Sequence, residues 1–150
     1  MLKSLIRNRK GNSLVEFAIA TPIAMMLCFA AGDFGRMFTE SAILAGAANA
    51  GAIYGYRNVG HAADSSGIQQ AILQDSSQLS GVFALTEQVC DCPDNPKVWI
   101  SCNNTTCSNG YDAPRAYVRA RAVKSFSTLG VDPKIPSQVT IDMSAYLRVQ

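Results

Sequence analysis

The sequence predicts an α+β fold: a long N-terminal apolar helix, one short helix, and a small antiparallel sheet covered by the outer half of the long helix. Three observations carry this. Residues 14–32 contain a single charged side chain, Glu16, among nineteen positions. The apolar helical pattern then runs on without interruption to about Arg57. At the other end of the chain, Val139, Ile141, Met143, Ala145, Leu147 and Val149 alternate with Thr140, Asp142, Ser144, Tyr146, Arg148 and Gln150. Six period-two pairs describe a strand with one buried and one wet face, the pattern of an antiparallel sheet that needs a cover.

Taken in order, residues 13–57 read as one helix of roughly 65 Å. Its first part is long enough, at about 28 Å, to cross the hydrocarbon of a bilayer. Pro22 lies inside that part. It lacks an N–H and is expected to bend the helix, which membrane helices tolerate. Beyond the apolar run, Asp33, Arg36 and Glu40 fall at i, i+3 and i+7 and read as a solvated helix face. From Ala42 to Gly55 small residues recur at four-residue spacing, as in Gly46/Ala50, Ala47/Gly51 and Ala48/Ala52. Such a surface lets another backbone come close, in a membrane bundle or under the molecule's own sheet.

Arg57-Asn58-Val59-Gly60-His61 reads as a loop. Asp64 or Ser65 can cap the short helix, whose apolar stripe is Ile68, Ala71, Ile72 and Leu79, with Ser80-Gly81 closing it. Strands are expected at residues 82–90 and 97–102, joined by Pro93-Asp94-Asn95-Pro96. A third is expected at residues 117–124, with Val118, Ala120 and Ala122 on one face and Arg119 and Arg121 on the other.

Charge is placed unevenly. The chain has 150 residues and a net charge of +2, but Lys3, Arg7, Arg9 and Lys10 all lie in the first ten positions. Residues 11–150 therefore carry −2, from nine Lys and Arg against eleven Asp and Glu. A mildly acidic body excludes the basic surface that a nucleic-acid partner requires. The basic cluster before the apolar run places residues 1–11 in the cytoplasm and everything after residue 32 on the far side. A cleavable signal peptide is the competing reading, with cutting near residues 28–32. It is disfavoured because the run exceeds the usual 7–15-residue apolar core of a signal.

Five cysteines fit an exported body. Cys28 sits in the apolar run. Cys90, Cys92, Cys102 and Cys107 cluster in one stretch, an even number that reads as a disulfide framework with three possible connectivities. Cys90 and Cys92 are too close to bond without strain, so each is expected to pair with Cys102 or Cys107. A four-thiolate zinc site is the alternative, and no pair here has the CxxC spacing such sites favour.

Catalytic chemistry finds little to rest on. His61 is the single histidine, no GxSxG, GxGxxG or GxxxxGK[ST] element occurs, and the carboxylates are scattered singly. Asn103 and Asn104 head N-glycosylation sequons, which matter only in a eukaryotic secretory route. No catalytic residue, metal or cofactor is expected. What remains is Gly11-Asn12-Ser13-Leu14-Val15-Glu16-Phe17. A carboxylate inside an apolar run is costly, about 2.5–3.5 kcal/mol at mid-bilayer and less near the edge. Glu16 therefore either reaches interfacial water or has a partner, and a new amine on Asn12, one helical turn away, would suit it.

Gly11 with Glu16 as the fifth residue after it, followed by Phe17, resembles the processing site of type IV prepilin-like proteins. The wider stretch, through Pro22 and Gly32-Asp33-Phe34-Gly35-Arg36 to AGAANAGAIYG, resembles the TadE-like family of minor pseudopilins over roughly residues 10–52. The resemblance implies a pilin-like fold and a structural part in a Tad (Flp-type) pilus apparatus that serves surface adherence. It implies cleavage between Gly11 and Asn12 by a prepilin peptidase, pairing of Glu16 with the Asn12 amine, and partners among inner-membrane lipid, other pilins and the pilus assembly platform. The chain would then divide into a leader, residues 1–11, a long helix, residues 12–57, with its membrane part at about 14–32, and an exported head, residues 58–150. The head would be periplasmic. Two rivals from other classes are a membrane-anchored binding module built on the Cys cluster, with zinc as a candidate ligand, and a tethered periplasmic enzyme.

Overall fold

The computed structural model describes residues 12–102, 106–108, 110, 113–129 and 136–149. The expected leader, residues 1–11 with Gly11, and the sequon residues Asn103 and Asn104 lie outside them. Helix α1 runs from Asn12 to Tyr56, 45 residues in one piece. It passes through Pro22 without a break. Proline leaves the Ala18 carbonyl without its usual donor, and next to it the Thr21 hydroxyl donates to the Phe17 carbonyl at 2.6 Å.

Two short helices follow, α2 at Val59–Ala63 and α3 at Ser65–Asp75. Residues 57–61 are thus only partly the loop expected of them. Asn58 accepts the His61 N–H on its side chain and starts a five-residue helix, a stretch too short to show an apolar period. Asp64 caps α3 by accepting the Gly67 N–H. That helix ends at Asp75, earlier than the Ser80-Gly81 stop suggests, where buried Ser76 turns its hydroxyl back to the Ile72 carbonyl.

The strands are β1 at Val82–Cys92, β2 at Asn95–Ile100, β3 at Arg115–Ser127 and β4 at Gln138–Arg148. They form one antiparallel sheet in the order β2-β1-β3-β4. The β1–β2 hairpin is tighter than expected, because Asn95 and Pro96 already belong to β2. Proline is tolerated there because β2 is an edge strand. Register explains the alternation: Ala84 opposes Ala122, which opposes Met143, and Thr86 opposes Ala120, which opposes Ala145. This face meets α1 and α3.

The core joins Leu44, Ala47, Ala48 and Ala52 of α1, Ile68 and Ile72 of α3, and Val118, Ala120, Ala122, Phe126, Ile141 and Ala145 of the sheet. Small residues on both sides let the helix lie close to the strands. A Cβ on Gly51 would sit 2.5 Å from Ile72 Cγ1, and one on Gly55 would sit 2.9 Å from Val118 Cγ1. The small-residue surface of α1 therefore serves its own sheet and α3.

Candidate functional site

The residues singled out in the sequence separate into two places. Glu16, Phe17 and Pro22 lie on the first turns of α1, far from any strand. Asn12 opens that helix, four residues and about one turn before Glu16. Phe17 is 71% exposed, and Leu14, Ile19, Ile23, Met25, Met26, Leu27 and Phe29 are exposed with it. An 18-residue window of this helix has a mean hydropathy of 2.0 and none of it is buried. By length and composition α1 is able to cross a membrane. Large apolar side chains left uncovered over several turns require an apolar partner of some kind.

Cys28 is free and exposed on the lower part of α1, whereas the other four cysteines lie at the far end of the sheet. Cys90 bonds Cys102 and Cys92 bonds Cys107, with Cα separations of 5.1 and 5.8 Å. Both separations are ordinary for disulfides. The bonds staple the segment after β2 to the end of β1, where the β1–β2 register slips between Cys90 and Cys92. Loops of this size contribute about 3 kcal/mol each in the chain-entropy description. Cys92, Cys107 and Asp94 do come within 4.8 Å of one another. The two sulfurs are bonded together, however, and a zinc site needs free thiolates. Beside the staple, Arg115 clamps buried Asp91 through Nε and Nη2 at 3.0 and 3.1 Å.

Between these places α1 is tied to the sheet by charges that the sequence alone assigns to a solvated face. Asp33 accepts the Leu129 backbone N–H at 2.9 Å, Arg36 lies over the Phe126 ring at 5.2 Å, and Glu40 accepts from the Lys124 ammonium at 2.7 Å. The 84-residue separation of Glu40 and Lys124 hides this pairing from any local pattern. On the far side of the sheet Arg119 pairs with Glu87 and Arg121 with Asp142. The Arg121 guanidinium holds the Asp142 carboxyl below its usual range. Trp99 stacks on Tyr146 with ring centroids 5.0 Å apart and meets Tyr117 edge-on. The sequence shows Trp99 only as a strand residue, since its neighbours come from other strands.

At the top of α1 the Tyr54 hydroxyl donates to Asp64 at 2.9 Å. Hydrogen bonds from the Ser66 hydroxyl, the Gly67 N–H and Tyr54 lower the Asp64 pKa to about 2. The same carboxylate raises the pKa of Tyr54. His61 meets the Tyr54 ring edge-on at 4.7 Å. These contacts lock α2 and α3 to α1.

The region that matches a known family is the one that contains Glu16 and the small-residue surface. A family model described as TadE-like protein matches residues 11–52. Residues 11–52 are a TadE-like domain. No curated protein and no solved structure matches the chain. The TadE-like segment ends at Ala52, inside the part of α1 that the sheet covers, so it includes both the bare lower helix and most of the packed upper helix. TadE-like proteins are pilin-like and associated with the Tad pilus, structural rather than catalytic. Strands β1–β4 and the disulfides fall outside the match.

Proposed function

We propose that the protein is a minor pseudopilin of a Tad/Flp pilus apparatus, needed for pilus biogenesis and surface adherence. The observation that carries this reading is the TadE-like match over residues 11–52 on a helix whose lower half is bare and apolar. Residues 1–11 act as a cytoplasmic leader. A prepilin peptidase cuts between Gly11 and Asn12, and the lower part of α1, about residues 14–32, holds the mature protein in the inner membrane. Residues 58–150, with the upper end of α1, form the periplasmic head.

In this account the lower half of α1 exchanges lipid for the helices of other pilins when the protein joins the assembly platform or the fibre. A new amine on Asn12, at i and i+4 from Glu16, offsets the burial of that carboxylate within one subunit or between neighbours. Pro22 bends the helix so that it follows a curved bundle. Cys90–Cys102 and Cys92–Cys107 make the head rigid enough to bear lateral contacts outside the cell.

Deleting the chain from its host is expected to remove pili seen by electron microscopy, and the wild-type chain to restore them. Glu16→Ala is expected to reach the membrane in normal amount and fail to restore pili. Full piliation without the chain would overturn the reading. Full piliation with Glu16→Ala would remove the carboxylate from it.

A further inference from the structure

We propose that the base of the head is a second membrane-binding surface, seated in the headgroup layer of the bilayer that α1 crosses. This inference rests on the reading of α1 as a membrane anchor and goes beyond it, since an anchor alone leaves the head free to tilt. The long axes of α1 and the sheet are aligned. Asp33 meets Leu129 at one end, and Gly51 and Gly55 meet Ala120 and Val118 farther up. The sheet thus reaches down to residue 33, one position past the apolar run of residues 14–32.

That run measures about 28 Å and fills the hydrocarbon by itself. Asp33, and Leu129 bonded to it, then stand at the level of the headgroups. The side chains at this level are the wrong ones for open water. Phe34 is 67% exposed, Phe38 77% and Leu129 55%. Between α1 and the ends of β3 and β4 lies an open, mainly apolar groove of about 320 Å³, walled by Ala30, Phe34, Met37, Phe126 and Val139 and also lined by Asp33 and Thr128. Ala30 belongs to the apolar run, so the groove is continuous with the membrane segment, and its lower end opens where acyl chains stand. Arg36 bridges the two environments, with its guanidinium over Phe126 and paired with Asp33 at 3.4 Å. A cation on a long stem is suited to that depth.

The occupant that fits is a phospholipid leaflet: acyl chain against the groove, headgroup against Arg36 and the β3 end. Seating the apolar base about 5–10 Å into the interface fixes the tilt of the head relative to the membrane. Every described strand edge and the disulfide staple would then be presented to neighbours at a set height.

The test uses the full chain in vesicles of phosphatidylcholine and phosphatidylglycerol, with and without brominated acyl chains. Trp99 is the single tryptophan and lies near Tyr117 at the far end of the sheet, so the wild type reports the top of the head. Leu129→Trp and Ile23→Trp, each made with Trp99→Phe, report the base and the bilayer centre. Residue 129 is exposed, so the new ring needs no room inside the core. Brominated lipid is expected to cut emission about twofold or more at positions 23 and 129 and to leave Trp99 nearly unchanged, as expected for a ring buried in the interface. Quenching at 23 but not at 129 would overturn the seated base and leave the anchor intact. A blue-shifted, unquenched tryptophan at 129 would assign the groove to protein and also overturn it. No quenching at either position would remove the anchor, and this inference with it.

Discussion

The two halves of α1 belong to one unbroken helix and meet opposite fates. Below Gly32 nearly every large side chain is exposed, Leu27 at 66% among them, whereas Leu44, Ala47, Ala48 and Ala52 in the upper half are fully buried. Side-chain size and the company of charge separate them. The upper half has glycine and alanine where the sheet and α3 come near, and Glu40 where Lys124 can reach it. The lower half has Leu, Met, Ile and Phe on all sides and one acidic group, Glu16. A helix that is apolar all round is matched to an apolar solvent, and one that is small on one side is matched to a close-packed neighbour.

The largest effect that this contrast predicts comes from cutting one leucine in each half. Leu44→Ala opens a cavity in the core and is expected to destabilise the head by about 3–4 kcal/mol. Leu27→Ala touches no core residue and is expected to leave head unfolding within about 0.5 kcal/mol of wild type. Denaturant unfolding followed by Trp99 fluorescence checks both, and equal losses would erase the distinction.

Adding a methyl group gives the next contrast. Gly51→Ala places a Cβ 2.5 Å from Ile72 Cγ1, and overpacking of that kind costs about 1–3 kcal/mol. Gly32→Ala meets nothing within 4 Å and removes a helix-interior glycine, so a gain of up to about 1 kcal/mol is expected. A Gly51→Ala protein as stable as wild type would show that the helix and sheet are less tightly apposed than described.

The smallest effect concerns the lock between α1 and the helix caps. Asp64 has a pKa near 2 in the folded chain, against about 3.9 for a free aspartate. The unfolded chain therefore takes up this proton first as pH falls. Its stabilising contribution is complete above about pH 5 and is lost progressively as pH drops toward the folded pKa. Acid unfolding followed by circular dichroism should show a shallower decline in Asp64→Asn than in the wild type. Identical acid limbs would show that the Tyr54–Asp64 lock carries no proton linkage.

Much of this organisation is legible from residue order because it rests on local periodicity. The strict alternation of β4, the unbroken apolar pattern of α1 and the four clustered cysteines between residues 90 and 107 each report an environment directly. The inner face of β3, Val118, Ala120 and Ala122, follows from the same rule. What residue order conceals is long-range pairing. Asp33, Arg36 and Glu40 look like any solvated helical spacing until Leu129, Phe126 and Lys124 are brought alongside. Trp99 looks like a lone strand residue until Tyr117 and Tyr146 reach it. α2 is concealed for the opposite reason, because five residues started by Asn58 are too few to show a period. The Gly11-to-Phe17 stretch carries a carboxylate where the chain is otherwise apolar, and the TadE-like match begins there.

Under the proposed function the chain enters the membrane with a leader and works without it. Mass spectrometry of the N-terminus, on protein from native membranes of the piliated host, tests this most directly. A mature chain beginning at Asn12 is expected, with retention of the leader in Gly11→Ala. A chain that keeps Met1 in the wild type, or one cut near residues 28–32, would contradict it.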